Sequence, residues 1–211
     1  MKNIKHELQN IIYPVEPFGE TGKLKKIQSF LRRNAETGAG VKKQKHLKSE
    51  EAAILIAFAK AEGLFYHNEI LEKDFIGAGA EQRVFRYDDF SVIKTNDSIF
   101  YSSWLDYFNS LLIHNYFFPA TAYEFIGFKI IQDTLFAVVR QDFILATEPV
   151  NLEIVKNFLA YNGFENTRNN DYINQEIGLI FEDLHDENVL SRNGVLFFID
   201  TVFYLLDKFY E

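Results

Sequence analysis

Asn193-Gly194 sits between two apolar runs in NVLSRNGVLFFID, residues 188–200. Asn-Gly flanked in this way is the strongest short-range signal for a two-residue hairpin, because both turn positions need a positive φ. With that turn, Arg192 pairs with Val195 and Asn188 pairs with Ile199. Asp200 then falls one residue beyond the partner of Asn188, so an amide and a carboxylate reach the same end of a sheet. Just upstream, GLIF (178–181) leads into Glu182-Asp183-Leu184-His185-Asp186-Glu187, four acids in six residues. Apolar runs of this kind read as strands. An acidic cluster between them needs water or a cation.

Magnesium takes hard oxygen ligands and commonly keeps waters while sharing phosphate oxygens. Asp183, Asn188 and Asp200 offer oxygens of that kind. Asn188 and Asp200 suit a metal, and Asp183 is left to orient a hydroxyl. On the hairpin alone, a solvated polar strand end explains these residues better.

A second constellation shifts the balance. GAGAEQRVF (77–85) reads as a glycine-rich turn between two strands. Gly77 and Gly79 let backbone amides approach a phosphate closely. Lys94 follows on the next strand, in SVIK. Three strands are expected here: one running into Gly77, one around Val84–Tyr87 and one around Ser91–Thr95, with YDDF as the turn between the last two. A long helix over 98–118 follows from the spacing of Ile99, Trp104, Leu105, Phe108, Leu111, Leu112 and Tyr116, and Pro119 ends it. FIGFKII and LFAVVR flank Gln132-Asp133-Thr134 as a hairpin. NLEIVKNFLAYNG (151–163) is a helix stopped by Gly163, and TRNNDYINQ reads as a polar loop.

The beginning of the chain reads differently. Residues 1–22 are expected to be irregular, with Pro14, Pro17, Gly19 and Gly22. A helix is expected over 23–33, a loop over ETGAG (36–40), and a second helix capped by Ser49 that ends at Gly63. These helices form an N-terminal appendage, residues 1–69.

Net charge is −8, yet residues 23–48 hold nine Lys or Arg against the single acid Glu36. That segment either meets an anionic partner or is a solvated basic face. Phe30 belongs to the helix's apolar spacing with Leu24, Ile27 and Leu31, which leaves no aromatic to stack among these bases and favours the solvated face. No apolar run approaches the roughly 18 residues of a membrane helix. The N-terminus lacks a signal-peptide core. The chain has no cysteine, which excludes disulfide and thiolate chemistry. A cytoplasmic location is the default expectation.

Phosphate cradle, lysine, long helix, hairpin and carboxylate cluster, in that order, resemble the protein-kinase-like superfamily. In that family GxGxxGxV covers phosphates, VAIK carries a lysine, HRDxxxxN carries the base and a metal ligand, and DFG carries the second metal ligand. The corresponding stretches are Gly77-Ala78-Gly79-Ala80-Glu81-Gln82-Arg83-Val84, Ser91-Val92-Ile93-Lys94, Phe181 to Asn188, and Asp200-Thr201-Val202. Over about residues 70–205 the chain is similar to the small kinase-like domains of bacterial polyvalent proteins, which belong to mobile elements and phages. Gln82 stands where the third glycine is usual, and Phe181 stands where the leading histidine is usual.

The resemblance implies an α+β, protein-kinase-like fold. An antiparallel N-lobe with one long helix spans 70–143, and a reduced C-lobe spans 144–211. It implies ATP and magnesium as cofactors and a hydroxyl of a protein or small molecule as acceptor. Lys94 contacts phosphates, Asp183 positions the acceptor, and Asn188 and Asp200 hold magnesium. Val84 lies on the base, and the 139–143 stretch, with Gln141 and Phe143, is the hinge beside adenine. His185 is expected to pack the loop.

The family's lysine is usually held by a glutamate on the following helix. Here that helix has no glutamate, and Asp106 is the candidate. Eleven residues follow Asp200 and 39 separate Phe143 from Asp183, so no activation segment or helical substrate platform is expected. The alternative reading is a nucleotide-binding pseudokinase that acts as an interaction module.

Overall fold

Strands begin at residue 75 and recur to Leu205, with two α-helices between them. The structure, a computed structural model, describes residues 2–14, 22–37, 48–79 and 82–211. Its helices are α1 (Lys2–Ile12), α2 (Lys23–Thr37), α3 (Lys48–Ala61), α4 (Trp104–Phe117) and α5 (Leu152–Tyr161). The chain divides into two units. One comprises Glu20–Phe108 and Tyr123–Phe143; the other comprises Met1–Gly19, Asn109–Ala122 and Ile144–Glu211. The division falls inside α4.

The first unit is built on an antiparallel sheet of β1 (Phe75–Ala78), β2 (Gln82–Arg86), β3 (Ser91–Asn96), β4 (Glu124–Ile131) and β5 (Thr134–Asp142). The strands lie in the order β1-β2-β3-β5-β4. Asp88 closes the β2–β3 turn by accepting from the Phe90 amide and the Ser91 hydroxyl, both at 2.8 Å. Gln132 and Asp133 take the positive φ values, 48° and 63°, that the β4–β5 hairpin requires. The start of α4 covers the sheet through aromatic contacts of Trp104 with Phe128 and of Phe108 with Phe125 and Phe128. Phe30 of α2 stacks on Phe58 of α3 at 4.0 Å.

The second unit holds two small antiparallel sheets. One is β11 (Val202–Leu205), β8 (Leu179–Glu182), β7 (Asp171–Asn174) and β6 (Glu165–Arg168), in that order; the other pairs β9 (Val189–Arg192) with β10 (Val195–Phe198). Their core contains Leu8, Ile12, Ile113, Val155, Leu159, Phe181, Val189 and Phe203, all buried. Gly178 opens β8 at φ +72°, and a Cβ there would stand 2.5 Å from the Phe209 backbone nitrogen. The close approach of the chain's last turn therefore demands glycine.

Several expectations change. Residues 2–12 are helical, because Ile4, Leu8, Ile11 and Ile12 share one face, and Leu8 and Ile12 are fully buried in the second unit's core. Of the helices before residue 70, α1 belongs to the second unit, and α2 and α3 belong to the first. Ser49 lies inside α3, which begins at Lys48. The expected 98–118 helix begins at Trp104, with Ile99 outside it and exposed. TRNNDYINQ is no loop: Arg168 pairs with Asp171 across a two-residue Asn169-Asn170 turn, and Asn169 adopts φ +51°.

Residues 38–47, with Lys42, Lys43 and Lys45 of the basic segment and most of ETGAG, lie outside the described residues, as do Ala80 and Glu81. Of the basic residues that are described, Lys26 pairs with Glu62, and Lys48 donates to the carbonyls of Ser98 and Ile99. No helix among the described residues is long and apolar enough to cross a membrane.

Candidate functional site

Two pairings gather Asp183, Asn188 and Asp200. Between β9 and β10, Arg192 pairs with Val195 and Val189 with Phe198, the register that Asn193-Gly194 predicts. Between β8 and β11, Glu182 pairs with Val202. Asp183 therefore leaves β8 at the end where Asp200 and Thr201 enter β11. The carbonyl of Asn188 accepts from the amides of Ile199 at 3.0 Å and Asp200 at 3.3 Å, which carries the β9–β10 pairing up to Asp200.

The loop between β8 and β9 is held from within. Asp183 adopts φ +62°, unusual for a residue with a Cβ. Its amide donates to Asp171 Oδ1 at 3.2 Å. Asn188 Nδ2 donates to the Asp183 carbonyl at 2.7 Å and to Asp183 Oδ2 at 3.1 Å. His185 lies 3.1 Å from the same Asn188 nitrogen, so it organises the loop.

The side-chain amide of Asn188 thus turns its nitrogen toward Asp183, and the amide's own oxygen lies on its other side. Asp183 is exposed, while Asn188 and Asp200 are half-buried. Asn188 and Asp200 together offer an amide oxygen and a carboxylate, hard donors of the kind magnesium takes. Among the described residues there is no group of three or more His, Cys, Asp or Glu that could hold a metal. Any such ion would therefore rest on this smaller donor set. Glu182, half-buried beside the loop, has its carboxyl pushed up by desolvation first, then by the charges of Asp171 and Asp183.

At the far end of the β9–β10 hairpin, Glu148 accepts from Ser191 Oγ at 2.6 Å, from the Gly194 amide at 2.9 Å and from Thr147 Oγ1. These bonds, that of Ser191 foremost, hold its carboxyl down at about 2. Sequence reading did not single out Glu148. Its only signal was a position facing an Asn-Gly turn whose amide needs an acceptor.

In the other unit, the register aligns a row of expected residues. Gly77 pairs with Val84, Val84 with Lys94, and Lys94 with Val139. Lys94 is only 4% exposed, on a strand with neighbours on both sides, and its ammonium lies 5.4 Å from the centre of the Tyr123 ring. A buried ammonium is costly and is retained only with compensating contacts. Gly77 and Gly79 have no heavy atom within 4 Å of where a Cβ would stand, so the chain's own packing does not require glycine at either position.

Gln141 is buried and Phe143 half-buried. The Phe143 amide already donates to the Phe90 carbonyl at 2.7 Å, so that donor is not open to a base. Asp106 stands in the first turn of α4, where its amide donates to Ser103 Oγ at 3.0 Å. It forms no ion pair among the described residues. The carboxylate that meets the start of α4 comes instead from α3. Glu51, 6% exposed, accepts from the Trp104 amide at 2.7 Å.

A family model described as "Serine/Threonine/Tyrosine Kinase found in polyvalent proteins" matches residues 48–207. No curated protein and no solved structure matches the chain.

Proposed function

The chain belongs to the family of serine/threonine/tyrosine kinases found in polyvalent proteins, and from that premise we propose that it transfers the γ-phosphoryl group of ATP to a hydroxyl acceptor with magnesium. The observation that carries this reading is the gathering of Asp183, Asn188 and Asp200 at one end of paired strands. Asn188 and Asp200 would hold the ion. Magnesium, when bound, neutralises charge on phosphate oxygens. The Asp183 carboxylate, exposed and kept in place by Asn188, accepts the acceptor's hydroxyl hydrogen and aims its oxygen at the γ-phosphorus. A bond forms between that oxygen and phosphorus, the bridging oxygen leaves with ADP, and the hydroxyl proton passes to Asp183 or solvent. Lys94 contacts the phosphates, Gly77 and Gly79 offer bare backbone to them, and Val84 packs on the base, with Gln141 and Phe143 beside it. Catalysis of this kind is mostly positioning and electrostatic stabilisation.

The open space over Gly77 and Gly79 supports the phosphate role, since glycine there serves no packing need of the fold. One observation favours a second reading, a nucleotide-binding module without transfer: Asp106, the candidate acid on α4, forms no ion pair among the described residues. The two readings part in a single assay. Phosphate release and autophosphorylation with ATP and magnesium are compared for the wild type and Asp183→Ala. Turnover lost in the variant supports the kinase. Thermal stabilisation by ATP without turnover in the wild type supports the binding module, and no response to any nucleotide overturns both.

A further inference from the structure

His114 is wholly buried on α4, and neither the acceptor-positioning nor the phosphate-binding residues account for it. A buried imidazole costs free energy unless both ring nitrogens are bonded, and an apolar side chain would fill the space more cheaply. Both nitrogens are bonded. Nε2 lies 2.7 Å from the Thr121 carbonyl oxygen, and Nδ1 lies 2.8 Å from Thr201 Oγ1. A carbonyl oxygen can only accept, so Nε2 carries the hydrogen. Nδ1 is then the bare nitrogen, and the Thr201 hydroxyl donates to it. Thr201 follows Asp200 directly.

The remaining contacts fix the same segment. Ser110, one helical turn before His114 on the same face of α4, accepts from the Phe203 amide at 2.9 Å. Thr121 Oγ1 donates to the Phe198 carbonyl at 2.6 Å. The Asn188 carbonyl holds the Ile199 and Asp200 amides. Asp200 is thus gripped on both sides: Phe198 before it through Thr121, and Thr201 and Phe203 after it through His114 and Ser110. Thr121 also receives the His114 Nε2–H, so one imidazole links the two grips.

We propose that His114, fixed as the Nε2–H tautomer, is the positioning residue that sets the Asp200 carboxylate for magnesium through its bond with Thr201. The inference rests on the reading of Asp200 as a magnesium ligand. It makes the hydroxyl of Thr201 a functional group, where a side chain chosen only for packing needs none.

The test uses Thr201→Val, which keeps shape and removes the hydroxyl, with Thr201→Ser as the conservative variant. His114→Gln is a second, independent break, since its amide reproduces Nε2 but not Nδ1. Asp200→Asn is the reference. ATP affinity is measured by calorimetry with magnesium and with EDTA, and the ring-nitrogen NMR signals of His114 report its tautomer. The expected result has four parts. In the wild type His114 shows a protonated Nε2 and a bare Nδ1. Thr201→Val and His114→Gln weaken magnesium-dependent ATP binding about tenfold, roughly 1.4 kcal/mol. Both bind ATP in EDTA as the wild type does, which separates positioning from loss of fold. Thr201→Ser retains the magnesium effect.

The proposal is overturned if Asp200→Asn abolishes the magnesium effect while Thr201→Val and His114→Gln keep it, or if His114 carries its hydrogen on Nδ1. If Asp200→Asn itself leaves the magnesium effect intact, the assignment of Asp200 as a ligand fails first, and the positioning role falls with it.

Discussion

Asp183 bears a backbone cost that separates its chemistry from its contribution to the fold. Its φ of +62° puts an L-residue in the left-handed region, where a Cβ crowds the following carbonyl at about 1–2 kcal/mol. Asp183→Ala and Asp183→Gly both delete the carboxylate, and both lose the Asn188 bond to Oδ2 while keeping the bond to the carbonyl. Only the backbone term separates them. Alanine keeps the crowded Cβ. Glycine removes it, but its freer unfolded chain returns about 0.4–1 kcal/mol to alanine. The glycine variant is therefore expected to be the more stable of the two by about 1 kcal/mol. For a chain of this size that is about 2–4 °C in melting temperature. Thermal melting followed by circular dichroism reads the difference, and phosphate release from ATP reads the chemistry. Both variants should lose turnover alike. Equal melting temperatures, or alanine above glycine, refute the backbone argument. Turnover retained in either variant refutes the role of the carboxylate.

Gly77→Ala should leave the melting temperature unchanged, because a Cβ there meets nothing within 4 Å, yet weaken ATP binding in calorimetry; unchanged affinity removes Gly77 from the phosphate site. Glu148 has a lowered carboxyl, so its contribution is complete above the ordinary value of 4.5 and is lost as pH falls to about 2. Glu148→Gln should flatten that acid limb of stability and speed hydrogen exchange at the Gly194 amide. Glu182 has the opposite sign. Its raised carboxyl favours the fold below the ordinary value of 4.5 and loses that contribution as pH rises through the folded value. Glu182→Gln should melt above the wild type at neutral pH, with the gap shrinking toward pH 4.

The sequence made the site's skeleton legible where a local rule determined it. Asn193-Gly194 specified its register because only residues tolerant of positive φ fit that turn, and the observed pairing of Arg192 with Val195 follows. The strand that carries Lys94 and the helix α4 were readable for the same reason, since turn chemistry and periodicity are local. What could not be read depended on partners distant in sequence. The face of α1 formed by Ile4, Leu8 and Ile12 was hidden behind Pro14 and Pro17, although the helix packs with a core formed some hundred and more residues later. Val202–Leu205 was not expected as a strand, and it is the strand that brings Asp200 to the end of β8. In Asn169-Asn170 the turn signal was present but was masked by the polar composition around it. Glu51 lies in the first turn of its own helix, yet its carboxylate serves the start of α4, far along the chain. His114 read as one more residue of a helix, and its meaning emerges only with Thr201 beside it.

The most direct test of the central claim, that Asn188 and Asp200 form an ion site serving a bound triphosphate, is calorimetric titration of ATP into the wild type and Asp200→Asn, each with magnesium and with EDTA. Magnesium should tighten ATP binding in the wild type and have no effect in the variant. Binding that ignores magnesium in the wild type, or a magnesium effect that survives in Asp200→Asn, contradicts the claim.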